Sequence, residues 1–300
     1  MKNTPQSSRK PNSFTHFIGI DWSGAKGKRH KGIAIAVCEA GNGSPTVVNP
    51  PSGEKYWSRS EIADWIRAGC GLGSDAKVLM GIDAAFGVPF CDEGCYFPGR
   101  EFPDTASELW REIASHCIDE VDLFSGAFVD QFSEYFQQHG GRKGKRYNRR
   151  MRRTEAICIE TGAGPCESVF NLVGASQVGK SALSTMHMLH LLKGTAEIAI
   201  WPFGLPDEAS ICLVEIYAAL FAKLGGHKGK MRSLDELNSV LSKLNSQSYC
   251  GDLPKKIDDV TDALVTSVGL RFIAEEQRYW NPTELSPEAR KTEGWIFGID

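Results

Sequence analysis

The sequence predicts an α/β fold, a mixed sheet flanked by helices, and three observations carry that reading. Apolar runs that reach an acid recur along the chain, at residues 17–21, 77–83 and 211–215. Stretches with the 3.6-residue period of a helix fall between and after them. Three extended pieces open the chain in succession before the first helix, the order expected of an α/β sheet with a mixed edge.

Each element has its own signal. Residues 1–13 are polar, basic and rich in Ser, Asn and Pro, and read as a disordered tail. Residues 17–21 and 32–37 are apolar runs joined by a Gly- and Lys-rich turn, a hairpin with Asp21 at the tip of its first strand. A third short strand is expected at 46–48, closed by Pro50 and Pro51. Ser58, with Glu61 three residues on, precedes the apolar residues of 62–66 and marks a capped helix. A strand at 77–83 follows, and helical periodicity returns over 105–116 and 129–138. Residues 89–167 read as a mostly helical, basic insertion over one end of the sheet. Regular order resumes with a strand at 168–173, a helix at 180–192 and strands at 196–201 and 211–217. Helices at 234–244 and 257–275 and a short final strand at 294–299 complete a single domain over 14–300.

Composition excludes several classes. Hydrophobic and charged fractions of 41% and 24% are those of a soluble globular protein. No apolar run reaches the ~18 residues that span a bilayer, and no apolar segment of a secretory signal follows Met1. Nine cysteines without a framework of spacings suit a reduced, cytoplasmic protein. The net charge of -3 conceals a local asymmetry: Arg142, Lys143, Lys145, Arg146, Arg149, Arg150, Arg152 and Arg153 stand together with no acid among them. Such a run suits a phosphate backbone, with Tyr147 available to stack, and is as common in a solvated loop. Lys26, followed by Lys28, Arg29, His30 and Lys31, is a second basic feature beside Asp21.

Four acids stand out by position. Asp21, Asp83 and Glu215 close or follow apolar strands, and Asp262 lies early in a long helix. Acids are seldom buried unless they are paired or bind a metal. Carboxylates gathered at neighbouring strand ends repel, and Mg²⁺ or Mn²⁺ relieves that repulsion with hard oxygen ligands. A pair of such ions can activate a water and stabilise the leaving oxygen of a phosphodiester. Any one of these acids alone is better explained by a cap or a solvated strand end. Asp258, four residues before Asp262 on the same helix face, has the macrodipole as a sufficient reason.

These residues sit in a series of motifs. In order stand Gly19-Ile20-Asp21-Trp22-Ser23-Gly24, Gly81-Ile82-Asp83-Ala84-Ala85-Phe86-Gly87, Val214-Glu215-Ile216-Tyr217-Ala218-Ala219, Asp258-Asp259-Val260-Thr261-Asp262-Ala263-Leu264 and Glu293-Gly294-Trp295-Ile296-Phe297-Gly298. The series resembles the family known as domain of unknown function 429, a predicted branch of the ribonuclease H-like superfamily, over residues 17–297. The resemblance implies a ribonuclease H-like fold and metal-dependent nuclease chemistry similar to that of Holliday-junction resolvases. It places Asp21, Asp83, Glu215 and Asp262 on the motif positions. Ala85 departs from the pattern, which has proline there, and bears on the turn after Asp83.

Two phosphate-binding motifs compete. Gly174-Ala175-Ser176-Gln177-Val178-Gly179-Lys180-Ser181 fits G-x-x-x-x-G-K-[ST] between an apolar run and a helix, the context of a P-loop. It lies past the midpoint of the chain, however, and no later strand ends in Asp. The 18–24 turn also resembles the phosphate loop of actin-like kinases and ATPases, but no second half with its own loop follows. Cys91 and Cys95, His187 and His190, and Cys250 lack partners at ligand or catalytic spacing.

The expected function is therefore phosphodiester hydrolysis in DNA or RNA at a Mg²⁺ or Mn²⁺ site held by Asp21, Asp83, Glu215 and Asp262. Lys26, Arg142, Lys145, Arg146, Arg149, Arg150, Arg152 and Arg153 would grip the nucleic acid. A nucleotide-binding ATPase or kinase and a non-catalytic nucleic-acid-binding module are the alternatives. The number of subunits is left open, a homodimer being one option.

Overall fold

A computed structural model describes residues 14–162, 164–173, 178–204, 209–255 and 257–300. Six strands, β1 (His16–Asp21), β2 (Ala34–Glu39), β3 (Thr46–Val47), β4 (Val78–Asp83), β5 (Ile198–Ile200) and β6 (Ile211–Glu215), form one sheet in the order β3-β2-β1-β4-β6-β5. The pairings of β2 with β1 and β3 are antiparallel, and β1, β4, β6 and β5 run parallel. The expected mixed α/β sheet is what forms. Its parallel strands are apolar on both sides because helices cover both faces.

The two faces have separate cores. On one, Ile18, Ile20, Met80, Ile82 and Leu213 pack under α1 (Arg59–Arg67), α2 (Ala106–His116) and α5 (Val178–Leu192). On the other, Phe17, Leu79, Cys212 and Val214 meet α6 (Ala218–Leu224), α7 (Leu234–Lys243) and α8 (Asp258–Ile273). Helix α8 lies directly on β1. A Cβ at Gly19 would stand 2.3 Å from the Ala263 carbonyl oxygen, so only glycine lets the helix backbone rest there. Buried residues surround most of α8, from Thr261 to Ile273, because the sheet lies on one side and α6 and α7 on the other.

Local signals hold where they rest on caps and periodicity. Ser58 caps α1 by accepting from the Glu61 amide, as the spacing requires. Thr105 and Ser233 do the same for α2 and α7. Differences arise where tertiary packing decides. Residues 168–173 form turns and one isolated bridge instead of a strand. The tail around Ile296 touches the end of β6 through a bridge and the Phe297 amide, without making a strand.

The insertion is helical only in part. It holds α2, α3 (Gly126–Gln131), α4 (Arg153–Glu160) and short 3-10 turns, while 142–152 carries no helix. An aromatic cluster of Phe97, Phe102, Phe128, Phe132 and Tyr135 anchors it. The expected tail 1–13 lies outside the described residues, as does the 174–177 part of the candidate P-loop. Among the described residues no helix is long and apolar enough to cross a membrane. All nine cysteines are free thiols.

The contact at Gly19 gives a direct test of how α8 is seated. Gly19→Ala places a methyl group inside the van der Waals radius of the Ala263 carbonyl. It is expected to cost about 2 kcal/mol or more of stability, read as a lower urea midpoint at unchanged slope.

Candidate functional site

The parallel register sets Asp21 opposite Asp83, each the last residue of its strand. Alternation along the strands gives their side. Phe17, Gly19 and Asp21 share the face that meets α8, as do Leu79, Gly81 and Asp83. Asp262 lies one residue ahead of the Ala263 that rests on Gly19, so α8 carries it to the same sheet end. All three aspartates are half-buried.

Their electrostatics record the crowding. Burial first, then the Asp262 carboxylate, pushes Asp83 up to about 8, against the pull of the Ala218 amide. Burial, with Asp258 and Asp259, pushes Asp262 up to about 6, while Lys230 draws it down. Lys230 Nζ donates to Asp258 at 2.6 Å. Tyr217, its phenol raised to about 12 by burial and then by nearby thiols, feels Asp83 and Asp262 as well.

Glu215 belongs to another arrangement. Ile211, Leu213 and Glu215 face the side of the sheet opposite α8. Its carboxylate is 2% exposed and accepts a two-pronged bond from Arg152, at 2.8 and 2.5 Å, and the Phe86 amide at 2.9 Å. Arg152 also bonds Glu155 and the Glu293 carbonyl. Burial opposes the guanidinium charge, yet Glu155 and Glu215 hold its pKa above the ordinary arginine value. Burial raises Glu155 despite Arg152 beside it. The Glu293 carboxylate in turn accepts from the Phe90, Cys91 and Arg153 amides. Glu215 thus ties the turn after Asp83 to α4 and the C-terminal tail.

The basic run is largely turned to structural use. Arg150 and Arg152, expected on a substrate surface, are 6% and 1% exposed. Arg150 grips Asp92 and the carbonyls of Pro89, Cys95 and Tyr96. Lys145 and Arg146 face Glu134, Arg149 pairs with Glu167, and Arg153 with Glu284. Arg142 bonds Gln138, and Lys26 stands over the Phe124 ring. Most of the acids that hold these cations, Asp92, Glu134, Glu167 and Glu284, lie outside the run itself, so a charge count over 142–153 cannot show them.

The phosphate-loop motifs are also tied inward. The Gly179 amide, which a P-loop would turn to a phosphate, donates to the Asn171 carbonyl, and the Ser181 hydroxyl to that of Val178. The turn after Asp21 is fastened by buried Arg59, which donates to the carbonyls of Ser23 and Ala25. Asp122 receives His30 and the Arg59 and Ser60 amides. Gly24 makes this possible: a Cβ there would lie 2.2 Å from the Lys180 backbone.

Three aspartates offer hard oxygen donors of the kind Mg²⁺ and Mn²⁺ take, and two of them, Asp83 and Asp262, have their pKa values raised by burial first and by neighbouring acids second. Glu215, already neutralised by Arg152, does not fit that donor set. Among the described residues no group of three or more His, Cys, Asp and Glu side chains is gathered closely enough to hold a metal ion. No protein-family model, curated protein or solved structure matches the chain.

Two outcomes test this geometry. In its folded form Asp83 binds a proton that the unfolded chain releases near pH 4, so its contribution to stability declines as pH rises from about 4 to about 8. In EDTA, Asp83→Asn should raise Tm by about 2 °C at pH 8 and change it little at pH 4. Arg152→Met leaves Glu215 buried and unpaired and should cost about 3–5 kcal/mol in denaturant unfolding. The double variant Arg152→Met with Glu215→Met should recover part of that loss.

Proposed function

We propose that the chain is a metal-dependent nuclease of ribonuclease H-like type, acting on DNA or RNA through Asp21, Asp83 and Asp262. The observation that carries the reading is the placement of these acids at one sheet end: two strands in register set Asp21 beside Asp83, and α8 brings Asp262 near enough to raise Asp83. The strand order, an antiparallel edge followed by parallel strands, suits the ribonuclease H-like fold that the motif series implies.

Asp21, Asp83 and Asp262 would hold Mg²⁺ or Mn²⁺, with Asp258 and Asp259 beside them on α8. When bound, such an ion supplies a nucleophilic water at neutral pH and charge stabilisation for a phosphodiester. The strands fix Asp21 and Asp83 rigidly, and the Ala218 amide orients the Asp83 carboxylate. Glu215 serves as a positioning residue. Through the Phe86 amide it holds the turn that leaves Asp83.

The test is incubation of the purified protein with branched, single-stranded and RNA–DNA hybrid substrates in Mn²⁺. Cleavage should appear with at least one of them and fall by about 10²-fold or more in Asp21→Asn, Asp83→Asn and Asp262→Asn. Cleavage that survives Asp21→Asn, or none on any substrate, refutes the assignment.

A further inference from the structure

The α6–α7 connection joins the acid cluster to a charge pattern of its own. Lys223, His227, Lys228, Lys230 and Arg232 occur there, and no acid lies between Lys223 and Leu234. Two features hold the connection in place. Met231 is 2% exposed and sits in the α8 core, between two exposed cations. Lys230 Nζ reaches Asp258 at 2.6 Å, so the backbone here passes within a side chain's length of the α8 acids. Gly226 and Gly229, both at positive φ, form the bends on either side of Lys228.

The cations differ in their partners. In the basic run, Lys145, Arg146, Arg149, Arg150, Arg152 and Arg153 are each paired with an acid, and the remaining two are engaged by neutral groups, Arg142 by the Gln138 side chain and Lys143 by the Tyr147 ring. The side chains of Lys228 and Arg232 are exposed and form no ion pair with an acid among the described residues, while the Arg232 backbone amide donates to the Glu236 carboxylate. A cation already paired gains little from a phosphate, whereas an unpaired one beside an acid-lined site gains fully and releases counterions from the nucleic acid.

We infer that the α6–α7 loop, through Lys228 and Arg232, is the surface that holds the phosphates of a nucleic-acid strand beside the aspartates, in place of the 142–153 run. This rests on the nuclease reading for its choice of ligand. Lys230 stays on Asp258 and keeps the loop seated, and its neighbours contact the backbone without reading bases.

Binding can be measured apart from catalysis, by fluorescence anisotropy of a fluorescein-labelled oligothymidine 20-mer in EDTA. Wild type should bind with an affinity that falls as salt rises. Lys228→Ala with Arg232→Ala should weaken binding about tenfold or more. It should also reduce the slope of log affinity against log salt by about 1.4, some 0.7 for each lost cation. Arg142→Ala with Lys143→Ala should bind as wild type does. Lys228→Ala alone, at unchanged Tm, should show half the slope change and controls for misfolding of the double variant.

Equal binding by wild type and the loop variant, loss in the 142/143 variant, or no binding by wild type at low salt each overturns the inference. Failure of the nuclease reading has a different signature. The oligonucleotide would then bind with the predicted ranking while Mn²⁺ produced no cleavage by wild type.

Discussion

A single buried guanidinium organises the end of the sheet. Arg152 is held between Glu155 and Glu215 and reaches the Glu293 carbonyl, and Glu293 collects three backbone amides from two other segments. Four stretches far apart in the chain therefore meet through one residue: the turn after β4, the start of α4, the end of β6 and the C-terminal tail. A buried ion pair is weak evidence of net stability, because desolvation offsets most of its attraction. Its consequence here is specificity of arrangement. With Arg152 absent, Glu215 would face a low-dielectric interior, and the turn that leaves Asp83 would lose its anchor at Phe86.

The opposite face of the same sheet end follows a different rule. There Asp21 and Asp83 lie in register with Asp262 nearby, without an arginine of comparable burial, and burial first, then neighbouring acids, makes Asp83 and Asp262 hold their protons more tightly. Lys230 moderates this from outside by pairing with Asp258. The sheet thus separates two kinds of acid. Those on the α4 side are compensated within the fold, and on the α8 side Asp83 still feels the repulsion of Asp262. Retained repulsion at a half-exposed position is how a protein keeps a place for a cation or for proton transfer.

Much of this was legible in the sequence, and the limits have physical causes. The apolar runs that end in Asp21 and Asp83 mark strand tips because an acid there must reach solvent or a partner. The long, almost wholly apolar pattern after Asp262 marks a central helix. Glu215 looked equivalent to the two aspartates, since β6 is apolar on both faces and shows no alternation that would reveal its side. Only the register, with Gly81 and Gly19 turned to α8, separates them. The 168–173 run has strand composition, but Gln137 and Asn171 draw it into a bridge with the insertion. The basic run misled for a third reason. Its counter-charges, Asp92, Glu134, Glu167 and Glu284, are supplied by folding and are not its sequence neighbours.

The close approach at Gly19 connects these observations. Helix α8 needs backbone contact with β1 to carry Asp262 to the strand tips, and a side chain at Gly19 would hold it off. Gly24 has the matching role on the other face, where the turn after Asp21 rests on the start of α5. Asp21 is therefore held between two glycine contacts, one on each side of the sheet, which fix the place of its backbone. The rigidity that sets Asp21 beside Asp83 is the same rigidity that would give a bound ion or a phosphate a fixed position.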